Sequence, residues 1–232
     1  GILSHSSGIT LTVAGNVTLV SGMGYTAASR TSAITITGTG NFYSGGKSIG
    51  DFTVNGSGIT VTLQDNFDGN DKTGDPGSSL NVTAGTLDTN NKTISTGRTT
   101  VSSGANLILS SNTLTFAGGV GGGCVLDLRL GSVTIGTATV NVNSNGSTGI
   151  KSGGNIYNLV INLGTSSYIY FPNGTTITSL TINGAASKTS GFRFSSGETH
   201  TITNLTIAGN SSINRLLIRG ETLGTSSTIT VR

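Results

Sequence analysis

A short strand phrase returns along this chain: Asp51-Phe52-Thr53-Val54-Asn55-Gly56, Ser79-Leu80-Asn81-Val82-Thr83, Asn158-Leu159-Val160-Ile161-Asn162, Ser179-Leu180-Thr181-Ile182-Asn183-Gly184 and Asn204-Leu205-Thr206-Ile207-Ala208-Gly209. Its anchoring apolar residues are Phe52, Leu80, Leu159, Leu180 and Leu205, with Leu107 of Asn106-Leu107-Ile108-Leu109 between them. The steps are 28, 27, 52, 21 and 25 residues, and 52 is about two units. A period of roughly 20–30 residues in a β-rich sequence is the mark of a solenoid. The expected fold is therefore all-β, a single-stranded parallel β-helix of roughly nine coils. The rival is a β-sandwich, whose strands would come at steady spacing without repeating a phrase.

Composition supports the β reading. Only 9% of the residues are charged and 37 are Gly, a balance that would suggest disorder but for the regular apolar alternation. Thr, Val and Ile dominate the runs, and β-branched side chains suit a pleated surface better than a helix. Repeats make the 232 residues one continuous stack, so a single domain over 1–232 is expected. The chain opens at Gly1 without a Met, which reads as part of a longer or processed protein.

A formal charge of +3 is too weak and dispersed for a nucleic-acid footprint. The charge is nevertheless uneven. Residues 1–127 hold five Lys/Arg against seven Asp/Glu, whereas 128–232 hold seven against two, a split that would let opposite ends attract. No apolar run approaches the ~18 residues of a membrane span, so no membrane insertion is expected.

The single Cys124 excludes an internal disulfide framework. Period-2 alternation through Cys124-Val125-Leu126-Asp127-Leu128-Arg129-Leu130 places Cys124, Leu126, Leu128 and Leu130 on one face, which reads as core. Neither His5 nor His200 sits in a nucleophile motif that would make Cys124 catalytic.

Strand-like runs of mostly three to six residues are separated by Gly, Asn and Ser clusters, which tolerate positive φ and make sharp corners. A longer echo relates Gly45–Asn55 to Gly153–Asn162. Stacked coils put like residues above one another, so aliphatic residues build columns and corner Asn residues can form hydrogen-bonded ladders. End coils present open strand edges, which invite pairing with a neighbour.

Few positions carry chemistry. The loop Asp65-Asn66-Phe67-Asp68-Gly69-Asn70-Asp71-Lys72-Thr73-Gly74-Asp75-Pro76 concentrates acidic residues, and Asp65, Asp68, Asn70 and Asp71 are candidate calcium ligands through oxygen donors, although the spacing lacks the EF-hand pattern. The bland alternative is a solvated loop with Lys72 as counter-charge. Tyr168 and Tyr170 share one face of Tyr168-Ile169-Tyr170-Phe171 and are a candidate glycan platform, against ordinary strand packing. Gly118-Gly119-Val120-Gly121-Gly122-Gly123 precedes a strand, not a helix, and so lacks a phosphate cradle. Thr-x-Thr pairs such as Thr10-Leu11-Thr12, Thr35-Ile36-Thr37, Thr60-Val61-Thr62 and Thr228-Ile229-Thr230 raise ice binding, but their spacing is irregular.

The phrase Leu-Thr-Ile-Asn-Gly and the tail Gly197-Glu198-Thr199-His200-Thr201-Ile202 followed by Asn204-Leu205-Thr206-Ile207 resemble the Thr/Asn/Gly-rich β-helical repeat proteins of bacterial surfaces and bacteriophages: adhesins, autotransporter passengers, tail fibres and decoration proteins. The resemblance brings no catalytic motif. It implies a non-enzymatic structural or adhesive module, extracellular, on a cell surface or on a virion. Partners would be copies of itself, a surface or virion protein, or glycans. The alternatives are a carbohydrate-active enzyme on a β-helix scaffold and an ice- or glycan-binding module.

Overall fold

The computed structural model describes the chain apart from residues 1, 6–7, 28–31, 70–77, 118–123, 129, 145–147, 152–154, 165–167, 186–190, 211–215 and 223. Among the described residues every strand pair is parallel, and the chain winds as a β-solenoid with three faces, as its repeat implies. It makes about seven turns. The sequence period suggested about nine coils, and the longest ladder does hold ten rungs. The continuous ladder of the third face starts at Phe67–Asp68; before it come the parallel pair Ile2–His5 with Gly24–Ala27 and a single parallel bridge from Ser48 to Asp68.

Alternation builds each rung. In Asp51–Leu63 the inward Phe52, Val54, Val61 and Leu63 are buried while Thr53, Asn55 and Thr62 face outward. Stacking in register then turns these positions into columns. On the first face Ile34, Phe52 and Leu80 lie above one another, and further along so do Ile169, Phe192 and Ile218. The second face stacks Val61, Leu87, Leu107 and Val133. On the third, Phe67, Ile94, Leu114, Val140, Leu159, Leu180 and Leu205 form one column.

These columns revise the meaning of the repeated phrase. Phe52 and Leu80 belong to the first face, Leu107 to the second, and Leu159, Leu180 and Leu205 to the third. The echo between Gly45–Asn55 and Gly153–Asn162 therefore links strands on different faces. The phrase encodes a short strand with inward aliphatics, and any face accepts one.

Corners are made in two ways. In Asn155–Leu163, Ile156 and Leu159 are both buried although three residues apart, so the backbone must turn at Tyr157 for both to reach the interior. Ile177 and Leu180 repeat the turn one coil later. In wider coils glycine makes the corner. Gly85 has φ 81°, and a Cβ there would meet the Gly56 carbonyl oxygen at 2.4 Å.

Among the described residues, two aromatic clusters lie within the mostly aliphatic interior. Phe42, Phe52 and Phe67 come from three different faces and meet with centroids 4.7–6.2 Å apart. Phe171, Phe192, Phe194 and His200 form the other, with the His200 ring edge-on to Phe194 at 4.7 Å. The expected Asn ladder is present: Asn183 Nδ2 donates to Asn162 Oδ1, and Asn162 Nδ2 to Asn143 Oδ1, each at 2.8 Å.

One alternation breaks early. Leu126 and Leu128 are buried as expected, but Leu130 is 64% exposed, because the strand that begins at Cys124 ends at Asp127 and the chain turns before Ser132. The Cys124 and His5 side chains lie outside the described set.

Candidate functional site

The acidic loop divides into a structural part and a part outside the described residues. Asp65 is a clamp between coils: its Oδ1 accepts from the Ser44 main-chain N–H at 2.7 Å, and its Oδ2 from Ser44 Oγ at 3.0 Å and Gly45 N–H at 2.7 Å. Gly45 has φ 61°, and a Cβ there would clash with the Leu19 carbonyl, so the carboxylate holds a corner open only to glycine. Asp68 is exposed, and its main-chain carbonyl accepts from Ile49 N–H at 2.8 Å. Asn70 and Asp71 lie outside the described residues, as does the glycine run 118–123. Among the described residues no group of three or more His, Cys, Asp and Glu is placed to hold a metal.

The two tyrosines are brought together. Tyr168 and Tyr170 project from the same side of the strand Tyr168–Phe171, with ring centroids 6.3 Å apart and planes inclined at 44°. Ile169 and Phe171 alternate into the core and fix that outward direction. Small residues on adjacent coils make room. Gly149 pairs with Tyr170, and a Cβ at Gly149 would come within 2.7 Å of the phenol; Gly191 pairs with Tyr168.

Stacking adds what the strand alone lacks. Tyr170 pairs in register with Arg193, and Arg193 with Arg219. The Arg193 guanidinium carbon sits 3.9 Å from the centre of the Tyr168 ring, a cation–π contact. Its Nε is buried and has no hydrogen-bond partner. Lys151, one coil earlier, lies 3.7 Å from Asp127. The result is a half-buried aromatic surface with two guanidinium groups in one column, able to stack on a flat ring and pair with a carboxylate or sulfate. The arginines escape sequence reading because they lie 23 to 51 residues from the tyrosines; the repeat period is the signal that could have found them.

The Thr-x-Thr pairs are not gathered in one array. Thr12, Thr35 and Thr53 stack on the first face, whereas Thr60 lies on the second face with Thr86 and Thr228 pairs with Thr199.

His200 is another ionisable group away from water, as is Tyr25. It is buried, neither ring nitrogen has a hydrogen-bond partner, and burial pushes its pKa below the usual histidine value against an opposing pull from Glu198. It packs with Phe171 and Phe194 as a neutral aromatic.

No protein-family model, no curated protein and no solved structure matches the chain.

Proposed function

We propose that this chain is a non-enzymatic structural or adhesive module, displayed outside a cell or on a virion, that works by end-to-end association of its coils. The observation that carries this reading is a set of exposed aliphatics on the strands Thr199–Ala208, Leu217–Gly220 and Thr228–Val231. Ile207, Ile218 and Val231 continue the columns of the buried Ile182, Phe192 and Ile202. They are 41, 40 and 54% exposed. Exposed aliphatics on strands favour pairing with another chain. The charge split, five Lys/Arg against seven Asp/Glu in residues 1–127 and seven against two beyond, favours a head-to-tail sense for a second copy. Light scattering with negative-stain imaging tests it. Rods longer than one copy are expected, shortened to single copies by Ile218→Lys or Val231→Lys; a monodisperse monomer at all concentrations would defeat the proposal.

A second reading is favoured by the Tyr168, Tyr170, Arg193 and Arg219 platform: binding of an acidic glycan, its sugar ring on the tyrosines and its carboxylate or sulfate on the guanidinium groups. Binding of an oligogalacturonate, lost in Tyr168→Ala and Arg219→Ala and weakened by salt, is the expected result. Equal binding of a neutral oligosaccharide would remove the arginines from the account.

A further inference from the structure

Asn-Gly steps occur in the chain at Asn55, Asn145, Asn173 and Asn183. Such a step is chemically fragile, because glycine leaves its own nitrogen unhindered to attack the preceding side-chain carboxamide. A fold promotes that attack by supplying a base for the peptide proton and by laying the carboxamide against the next residue. Asn173–Gly174 has both.

The two residues lie in the bend between the strands Tyr168–Phe171 and Thr175–Asn183. Asn173 Nδ2 donates to the Gly174 carbonyl at 3.3 Å, which folds the carboxamide forward over Gly174. From the next coil, Glu198 Oε2 accepts the Gly174 main-chain N–H at 3.2 Å. Glycine is what lets the carboxylate come so near: a Cβ at Gly174 would meet Glu198 Oε2 at 3.0 Å and the Thr199 carbonyl oxygen at 2.9 Å. The backbone that carries the carboxylate is held from its far side. Gly197 N–H donates to the Ser226 carbonyl at 3.0 Å, and Thr228 N–H to the Glu198 carbonyl at 3.1 Å.

Asn183–Gly184 is held differently. Asn183 Nδ2 is turned to Asn162 Oδ1 in the amide ladder, and Gly184 N–H donates to the Ala208 carbonyl at 2.7 Å, an acceptor far too weak a base to take its proton. Asn55–Gly56 lies inside the strand Asp51–Leu63, and Asn145–Gly146 lies outside the described residues.

We propose that Asn173–Gly174 is a self-modification site, where Glu198 drives the conversion of asparagine to aspartate and isoaspartate. Glu198 takes the Gly174 N–H proton as that nitrogen bonds to Asn173 Cγ. The Cγ–Nδ2 bond then breaks, the proton passes from Glu198 to the departing nitrogen, and ammonia leaves behind a five-membered succinimide. Solvent water opens the ring at either carbonyl, giving aspartate or isoaspartate. Either product puts a second carboxylate beside Glu198, and like charges so placed repel. Isoaspartate also adds one main-chain atom to the bend between the buried Phe171 and Thr175. The joint between these two coils therefore loosens as the protein ages. The site depends neither on end-to-end association nor on the tyrosine platform.

The test incubates the full chain at neutral pH and reads Asn173 and Asn183 by peptide mapping, with isoaspartate distinguished by fragmentation. In the folded chain Asn173 is expected to convert at least about tenfold faster than Asn183, whereas in guanidinium the two convert at similar rates. Glu198→Gln keeps the shape of the side chain and removes the base. It is expected to slow Asn173 at least about tenfold in the folded chain and to change nothing in guanidinium. The Asn183 rate in the same folded sample is expected to match the parent's, which separates loss of the base from loss of the fold. A folded chain in which Asn173 converts no faster than Asn183 would overturn the proposal. So would a Glu198→Gln chain that converts at the parent rate, or cleavage of the main chain after Asn173 in place of ring opening.

Discussion

Asn162 is bonded on both sides along one column, accepting from Asn183 and donating to Asn143, each at 2.8 Å. Amide side chains stacked in register satisfy each other only when every coil presents the same residue at the same height. The column ends where Asn183 pairs with Ala208.

Asn162→Ala removes both of these bonds at an exposed site. Net hydrogen bonds contribute about 0.5–1.5 kcal/mol each, so a loss of about 1–2 kcal/mol is expected in denaturant unfolding. Asn183→Ala, which removes one, should cost about half as much. Equal costs would show that the ladder does not act as a chain of separate bonds.

Phe52 is fully buried against Phe42 and Phe67 at 4.7 and 5.3 Å. Truncating a buried Phe to Ala typically costs about 3–5 kcal/mol. Because coils contact mainly their neighbours, Phe52→Ala should speed amide exchange most in the strands Ala33–Ile36, Asp51–Leu63 and Ser79–Asp88. Unchanged exchange there, with loosening at Phe192 instead, would contradict the local packing.

Asp65 accepts three hydrogen bonds from Ser44 and Gly45. Asp65→Ala leaves those donors without their acceptor, and a loss of about 1–3 kcal/mol is expected. If the carboxylate serves as a clamp and not a calcium ligand, its removal lowers the melting temperature equally with calcium and with a chelator. A chelator that destabilises the parent chain as much as Asp65→Ala does would identify a metal there.

Burial holds His200 neutral by lowering its pKa beneath 6.5, with Glu198 pulling the other way. The unfolded chain therefore binds a proton, as pH falls through the region below 6.5, that the folded chain resists. Stability is fully present above that value and is lost on acidification through the lowered folded pKa. Thermal melts from pH 7.5 to 4.5 should show this loss, and His200→Leu should flatten it. A parent chain whose melting temperature is level from 7 to 5 would remove His200 as the cause.

Much of the architecture was legible because solenoid sequences state their rule repeatedly. Leu180-Thr181-Ile182-Asn183 prescribes an inward aliphatic, an outward Thr, another inward aliphatic and a corner Asn, and the structure places each accordingly. The assignment of phrases to faces was not legible. Phe52 and Leu159 carry the same phrase on different faces, since the lengths between strands set how far round the coil each one falls. The tyrosine pair could be read from two residues on one strand. Arg193 over Tyr168 could not, because the contact exists only after one particular register is chosen.

The sequence by itself determined the strand as the local unit, the parallel stack, the apolar interior and the Asn ladder, because alternation and period act within one coil and its neighbours. The tertiary structure decided the girth of each coil, the exposure of Leu130 and the pairing of arginines with tyrosines. Those depend on how many residues each turn spends between faces, and a length acquires a position in space only when the neighbouring coil is laid against it.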